Sequence, residues 1–254
     1  MYCAHDIGFS AGGRRLLEGA SVAVRPGTVT VLIGPNGAGK STLFKLMAGE
    51  RRPQRGQVTL DGIDLAGLRP AQLARLRAVL PQSVHVAFPF TVAEVVGIGA
   101  ARGRDLPARI GRALARVELG ALAGQNYELL SGGEKQRVQL ARALVQLEAG
   151  EGPGYLLLDE PTASLDLAQQ LLVLRLMRDL AAEGAGILAV LHDLNLAAMV
   201  ADEIVALKQG RVAARGTPEQ VLTQACIADL YGVDVRIGWA PPTPFLLPQA
   251  ASRA

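Results

Sequence analysis

Apolar positions along this chain alternate, run together or recur at helical spacing, and each change of period marks an element. Val22 and Val24 alternate with small or polar neighbours, as in a half-buried strand, before Pro26-Gly27 makes a turn. Val29 to Ile33 is an almost unbroken apolar run, suited to a strand covered on both faces. Thr42 to Ala48 then takes up helical spacing. Gln57-Val58-Thr59-Leu60 followed by Asp61-Gly62 predicts a strand and a turn. Pro70 to Arg77 predicts a helix, and Ala78-Val79-Leu80 a strand running into Pro81-Gln82.

From about residue 88 to 128 the strand signal fades. Thr91 stands three residues before Glu94 in a capping-box arrangement, and Ile110, Leu114 and Val117 recur at helical spacing. Glu134 to Leu147 is strongly helical after a Ser-Gly-Gly start, and Gly150 to Gly154 is a loop. Tyr155 to Leu158 and Ile187 to Leu191 are short apolar runs of buried-strand type. Between them Leu167 to Ala182 predicts a helix with Leu172, Leu176 and Leu180 on one face and Gly184 near its end. Ile204 to Leu207 and Val212 to Ala214 flank Lys208-Gln209-Gly210-Arg211, a hairpin signal. Thr217-Pro218-Glu219-Gln220 opens a further helix. The pattern predicts one α/β domain over 1–254, β-rich at its start and with strands of parallel-sheet type after it. A helical lobe is expected over roughly 88–150 and a loose, Pro- and Ala-rich tail over 239–254.

Half of the residues are apolar, enough for a large core. The formal charge of +3 lacks the concentrated basic face of a nucleic-acid binder, so no nucleic-acid partner is expected. Cys3 and Cys226 are the only cysteines, far apart and without metal-ligand spacing. A disulfide framework or zinc site is not expected, and a reducing cytoplasm fits. The chain has no apolar run of roughly 18 residues to span a bilayer, and no basic-then-apolar leader is evident. Any membrane process would therefore be served from the cytoplasmic side through a partner.

The most informative stretch is Gly34-Pro35-Asn36-Gly37-Ala38-Gly39-Lys40-Ser41-Thr42, which fits G-x-x-x-x-G-K-[ST] between a strand and a helix. Its glycines let successive N–H groups face a phosphate, and the helix N-terminus adds partial positive charge. Lys40 is placed to reach the outer phosphates, and the Ser41 hydroxyl to ligate Mg²⁺. Asp159 and Glu160 follow the buried run 155–158, where ligands gather beyond strand ends. Asp159 suits Mg²⁺, directly or through water, and Glu160 suits the base that polarises an attacking water. Leu130-Ser131-Gly132-Gly133-Glu134 offers a hydroxyl, free amides and a helix dipole, a second phosphate-binding device; it also fits an ordinary capping box.

Taken together, GPNGAGKST (34–42), Gln82, LSGGE (130–134), YLLLDEP (155–161), Ser164-Leu165-Asp166 and His192 resemble an ATP-binding cassette (ABC) ATPase, in order and separation, over about residues 4 to 235. The resemblance implies the ABC ATPase fold, with a P-loop NTPase core on a parallel sheet, an N-terminal antiparallel β region and an inserted helical lobe, together with ATP as substrate with Mg²⁺ and a head-to-tail pair with a second copy. In such a pair each ATP would lie between the phosphate loop of one copy and Ser131, Gly132 and Gly133 of the other. It further implies that Gln82 contacts Mg²⁺ and water, that His192 contacts the γ-phosphate and Glu160, and that Asp166 touches the opposite subunit. Phe9 stands about where the family often has a Tyr stacked on adenine. Tyr2 is too early for that place, and His5 and His85 match no motif and read as structural.

Arg77 to Gln82 followed by Ala87-Phe88-Pro89-Phe90-Thr91-Val92 resembles ATPases of bacterial importers for iron chelates, haem and cobalamin. Ala48-Gly49-Glu50 adds to a likeness to the haem importers. The implied partners are integral membrane permease subunits and, indirectly, a periplasmic substrate-binding protein. The implied place is the cytoplasmic face of the bacterial inner membrane. Residues 83–95 would receive a cytoplasmic helix of the permease; equally, Phe88, Phe90, Val92 and Val95 could form the lobe's core. A soluble ABC scaffold for iron–sulfur assembly and a nucleic-acid-linked ABC ATPase are the alternatives. The 83–95 segment weighs against the first; the missing long coiled coils and second cassette weigh against the second.

Overall fold

The computed structural model describes residues 1–84, 86, 88–100, 105–148, 150 and 154–238; His85 and the tail 239–254 lie outside them. The chain opens with β1 (Tyr2–Ala11) and β2 (Arg14–Val24), then β3 (Val29–Ile33) and α1 (Lys40–Met47). β4 (Arg55–Leu60), β5 (Ile63–Asp64), α2 (Pro70–Leu76) and β6 (Arg77–Leu80) follow. Next come three helices, α3 (Val92–Gly97), α4 (Leu106–Arg116) and α5 (Gly132–Leu147). β7 (Tyr155–Asp159), α6 (Leu167–Ala182), β8 (Gly186–Val190) and α7 (Leu194–Val200) return the chain to the sheet. It continues with β9 (Glu203–Lys208), β10 (Arg211–Gly216), α8 (Pro218–Val221) and α9 (Gln224–Tyr231).

Two sheets form. A six-stranded sheet has the order β10-β9-β3-β8-β7-β6, and a four-stranded sheet the order β2-β1-β4-β5. In the larger sheet β9, β3, β8, β7 and β6 run parallel, and only β10 is antiparallel. The smaller sheet is antiparallel throughout. The β9–β10 turn places Gln209 and Gly210 at φ of 48° and 80°, the double left-handed conformation that matches the twist of a two-residue hairpin.

Side chains of the parallel strands alternate between two cores. Leu156 and Leu158 of β7 enter one core with the helices α3 to α6. Tyr155 and Leu157 enter the other with α1 and the antiparallel sheet. This double covering explains why these strands read as continuous apolar runs.

Helix starts follow their caps. Thr91 and Glu94 reciprocate at α3, as do Ser131 and Glu134 at α5, and the Asp166 carboxylate accepts from Gln169 N–H at 2.9 Å to start α6. The buried stripe of α6 differs from the expected Leu172-Leu176-Leu180 ladder. Val173, Leu176, Met177 and Leu180 are buried, whereas Leu172 is only partly covered. A strict four-residue spacing drifts by about 40° per step around the helix, so it leaves the core face within two steps. Residues 88–95 divide between the two readings: Val92 and Val95 are core, Phe90 is partly buried against it, and Phe88 is 64% exposed. No helix among the described residues is long and apolar enough to cross a membrane.

Candidate active site

Because β3, β6, β7 and β8 run parallel, their carboxyl ends open at one edge of the sheet. β3 leads into Gly34, β6 into Gln82, β7 into Asp159 and Glu160, and β8 into His192. Ligands gather at such an edge because loop amides and helix N-termini converge there.

The loop after β3 is shaped by what it lacks. Gly34 sits at φ 143°, and a Cβ there would collide with the Leu207 carbonyl oxygen. Gly39, at φ 105°, caps α1, and a Cβ on it would lie 2.7 Å from the Leu16 oxygen. The Lys40 ammonium is nearly buried and donates to the Gly34 and Pro35 carbonyls at 2.7 and 3.0 Å. Burial pulls its pKa down, and the charges of Glu160 and Asp159 oppose that shift. A buried cation satisfied only by loop carbonyls stands ready for an anion. Ser41, in the first turn of α1, is exposed.

Asp159 is 3% exposed, and its Oδ1 has no hydrogen-bond partner. Burial, and then the neighbouring charge of Glu160, pushes its carboxyl up to about 6. An acid with an orphaned buried oxygen costs free energy unless a cation or donor meets it. This donor set fits Mg²⁺, which takes one or two carboxylates and completes its shell with phosphate oxygens and water.

Glu160 is the hub of the site. His192 Nε2 lies 2.7 Å from its Oε1, and the Gln82 carboxamide donates to its Oε2 at 3.0 Å. Its backbone is left-handed at φ 53°, as is that of Ser164 at 61°. Such a conformation costs about 1–3 kcal/mol in a non-glycine residue and persists only where the surroundings hold it. Here the Glu160 N–H donates to Val190 O at 3.2 Å, and its own carbonyl accepts from Ala163 N–H at 3.1 Å.

Gln82, Asp159, Glu160 and His192 thus gather with the 34–42 loop. Ser131 spends its hydroxyl within its own cap, donating to Glu134 Oε2 at 2.7 Å. Phe9 is partly buried against the core beside α1 and carries the Arg51 guanidinium 5.8 Å from its ring centroid. His5 is exposed on β1. The sequence reading missed three contacts: Gly210 N–H to Ala38 O at 2.9 Å, Gly34 N–H to the Tyr231 phenol at 3.1 Å, and Gln136 to the Glu160 carbonyl at 3.5 Å. The hairpin signal at 208–211 pointed to a turn, and nothing local in the sequence tied it to the loop.

A mostly parallel sheet with a glycine loop after one strand and an acid-ended strand two places along, beyond β8, defines a P-loop nucleoside triphosphatase. The family pattern described as "ABC transporter" matches residues 17–163, and the chain belongs to that family. It is 50% identical over 262 aligned positions to the Hemin import ATP-binding protein HmuV of Chelativorans sp. (strain BNC1), covering 99% of both chains. Identity to the protein of the same name from Rhizobium meliloti (strain 1021) is 48%, over 99% of this chain and 100% of that one. A dimeric ATP-binding cassette in a post-hydrolysis state, bound to ADP and Pi, superposes with a TM-score of 0.74 at 26% identity, covering 86% of this chain and 99% of the other. The chain is an ATP-hydrolysing cassette whose activity is coupled to transport.

Proposed function

We propose that this ATPase powers the import of haem. In this reading it works beneath separate membrane permease subunits, as a head-to-tail pair with a second copy of itself, on the cytoplasmic face of a bacterial inner membrane. The observation that carries the cargo is the full-length likeness, at 50% and 48% identity, to proteins named for hemin import. The pair is supported by the dimeric cassette found with ADP and Pi. A cap bearing Ser131, Gly132 and Gly133 also makes sense as a second phosphate device only if it faces another subunit's nucleotide. A periplasmic binding protein would deliver the cargo.

The residues divide the work as follows. The amides of Gly34 to Thr42, Asn36 and Ala38 among them, cradle the phosphates, and Lys40 exchanges the Gly34 and Pro35 carbonyls for phosphate oxygens. Ser41 and Asp159, with Gln82 beside them, would hold Mg²⁺. When bound, the ion would neutralise negative charge developing on the phosphates. Glu160 takes a proton from the attacking water. His192, on the other carboxylate oxygen, orients Glu160 and reaches the γ-phosphate. Phe9 is the adenine contact, Phe88 the exposed contact to the permease, and Asp166 reaches the opposite subunit.

Vesicles reconstituted with the cognate permease and binding protein test the reading. ATP-dependent accumulation of haem is the expected result. Uptake of cobalamin or a ferric chelate, with none of haem, would overturn the cargo and leave the ATPase standing.

A further inference from the structure

The phosphate loop is held from behind by a part of the chain outside residues 17–163, where the family pattern matches. Gly34 N–H, the first amide after β3, donates to the Tyr231 phenol oxygen at 3.1 Å, across 197 positions of sequence. The ladder between β3 and β9 ends with Ile33 beside Ala206, so the phenol takes over as acceptor where the sheet stops offering one.

Tyr231 is itself firmly placed. It is the last residue of α9, whose Ile227 and Leu230 are buried. Thr223 caps the helix start through Cys226 N–H at 3.2 Å, and Gly232 ends the helix at φ 70°. Asp229 is tied to Lys208, the last residue of β9, at 2.6 Å. The turn that follows sends Gly210 N–H to Ala38 O at 2.9 Å. The loop is therefore gripped at its first residue by α9 and in its middle by the β9–β10 turn. Burial also pushes the Tyr231 phenol upward, so it stays protonated and neutral at working pH.

We propose that Tyr231 is a positioning residue for ATP: its phenol fixes the Gly34 amide, and with it the entry angle of the loop whose later amides meet the phosphates. The proposal rests on the reading of 34–42 as the phosphate loop. Tyr231 touches no reacting atom, so its contribution falls on nucleotide binding and leaves the chemical step alone. Preorganisation lost equally in ground and transition states raises KM without lowering kcat.

Tyr231→Phe in the full chain removes one oxygen and keeps the ring. Its expected effect is about tenfold weaker binding of both MgATP and MgADP, the size of one hydrogen bond to a half-buried amide. KM should rise by the same factor, with kcat within about twofold of the parent. Amide exchange should quicken at 34–40 and stay unchanged in β8. A parent-like Kd and KM in Tyr231→Phe would overturn the proposal, and so would a fall in melting temperature with unaltered nucleotide binding. Lys40→Ala, measured alongside, separates the two claims. If it loses ATP while Tyr231→Phe binds normally, only the positioning role fails; if Lys40→Ala also binds normally, the loop assignment fails first.

Discussion

Glu160 and His192 meet at 2.7 Å across the ends of two adjacent parallel strands. The contact uses one carboxylate oxygen and leaves the other to Gln82 at 3.0 Å. Glu160 is therefore aimed from both sides by the protein's own side chains. Glu160→Gln keeps the shape but removes the base, and its amide nitrogen donates at one of the two contacts where the carboxylate accepted. Steady-state hydrolysis should fall by ~10²–10⁴, with ATP affinity near that of the parent. His192→Ala should lower kcat by roughly 10² through loss of aim, without a change in melting temperature. Phosphate-release assays beside equilibrium binding read both; parent-like turnover in Glu160→Gln would remove Glu160 as the base.

Asp159 makes the free subunit sensitive to pH in a definite direction. Its carboxyl titrates near 6 in the folded chain against an ordinary 3.8, so the folded state binds more protons between those values. Stability should then fall as pH rises from about 4 to 6 and stay reduced above. The upper bound is on the order of 2–3 kcal/mol. Asp159→Asn should melt several degrees higher than the parent at pH 7.5, with the gap closing toward pH 4.5. The same variant should lose Mg²⁺-dependent hydrolysis. Calorimetry across that range decides, and a gap independent of pH would show that the orphaned carboxyl is not strained by its charge.

The paired arrangement makes a test by mixing possible. Ser131→Arg blocks one face of each composite site, and Lys40→Ala disables the other. Each variant alone should be inactive. Mixed chains should recover activity, because half of their dimers are heterodimers at equal association and each keeps one intact site. Absence of recovery, with heterodimers verified by mass, would refute the head-to-tail geometry.

Phe88 and Phe90 stack edge-to-face at 6.0 Å but answer to different surroundings. Phe88 is 64% exposed, while Phe90 packs on the helical core, and its carbonyl accepts from Tyr127 N–H at 2.9 Å. Phe88→Asp should spare the melting temperature and ATPase activity of the free subunit and uncouple transport in vesicles. Phe90→Asp should destabilise the free subunit by about 2–4 kcal/mol, since it buries a charge against apolar side chains. Equal destabilisation by both changes would assign Phe88 to the core as well.

The glycine loop, the acid pair and the caps at Thr91 and Ser131 were legible because each is written within a few consecutive residues. The parallel sheet was legible because strands buried on both faces carry unbroken apolar runs. An N-terminal antiparallel region was expected, but its strand order β2-β1-β4-β5 was not legible, since strand partners are chosen across long loops by packing. The covered face of α6 was misplaced by one residue at Leu172, because spacing alone does not set the helix phase against the sheet. Gly34 and Tyr231 lie too far apart in sequence for any local pattern to join them. The exposure of Phe88 beside a half-buried Phe90 depends on how α3 seats against α5.

The order of the larger sheet bears on when the site can fire. Asp159, Glu160 and His192 come from strands with neighbours on both sides, but β6, which delivers Gln82, is an outermost strand bonded only to β7. The acid and histidine stand on the interior of the sheet, and the glutamine is a latch at its margin. A push on the segment just beyond Gln82 would draw the latch and leave one Glu160 oxygen open to water. The trigger for hydrolysis would then lie at the rim of the sheet, one strand away from the acids that respond to it.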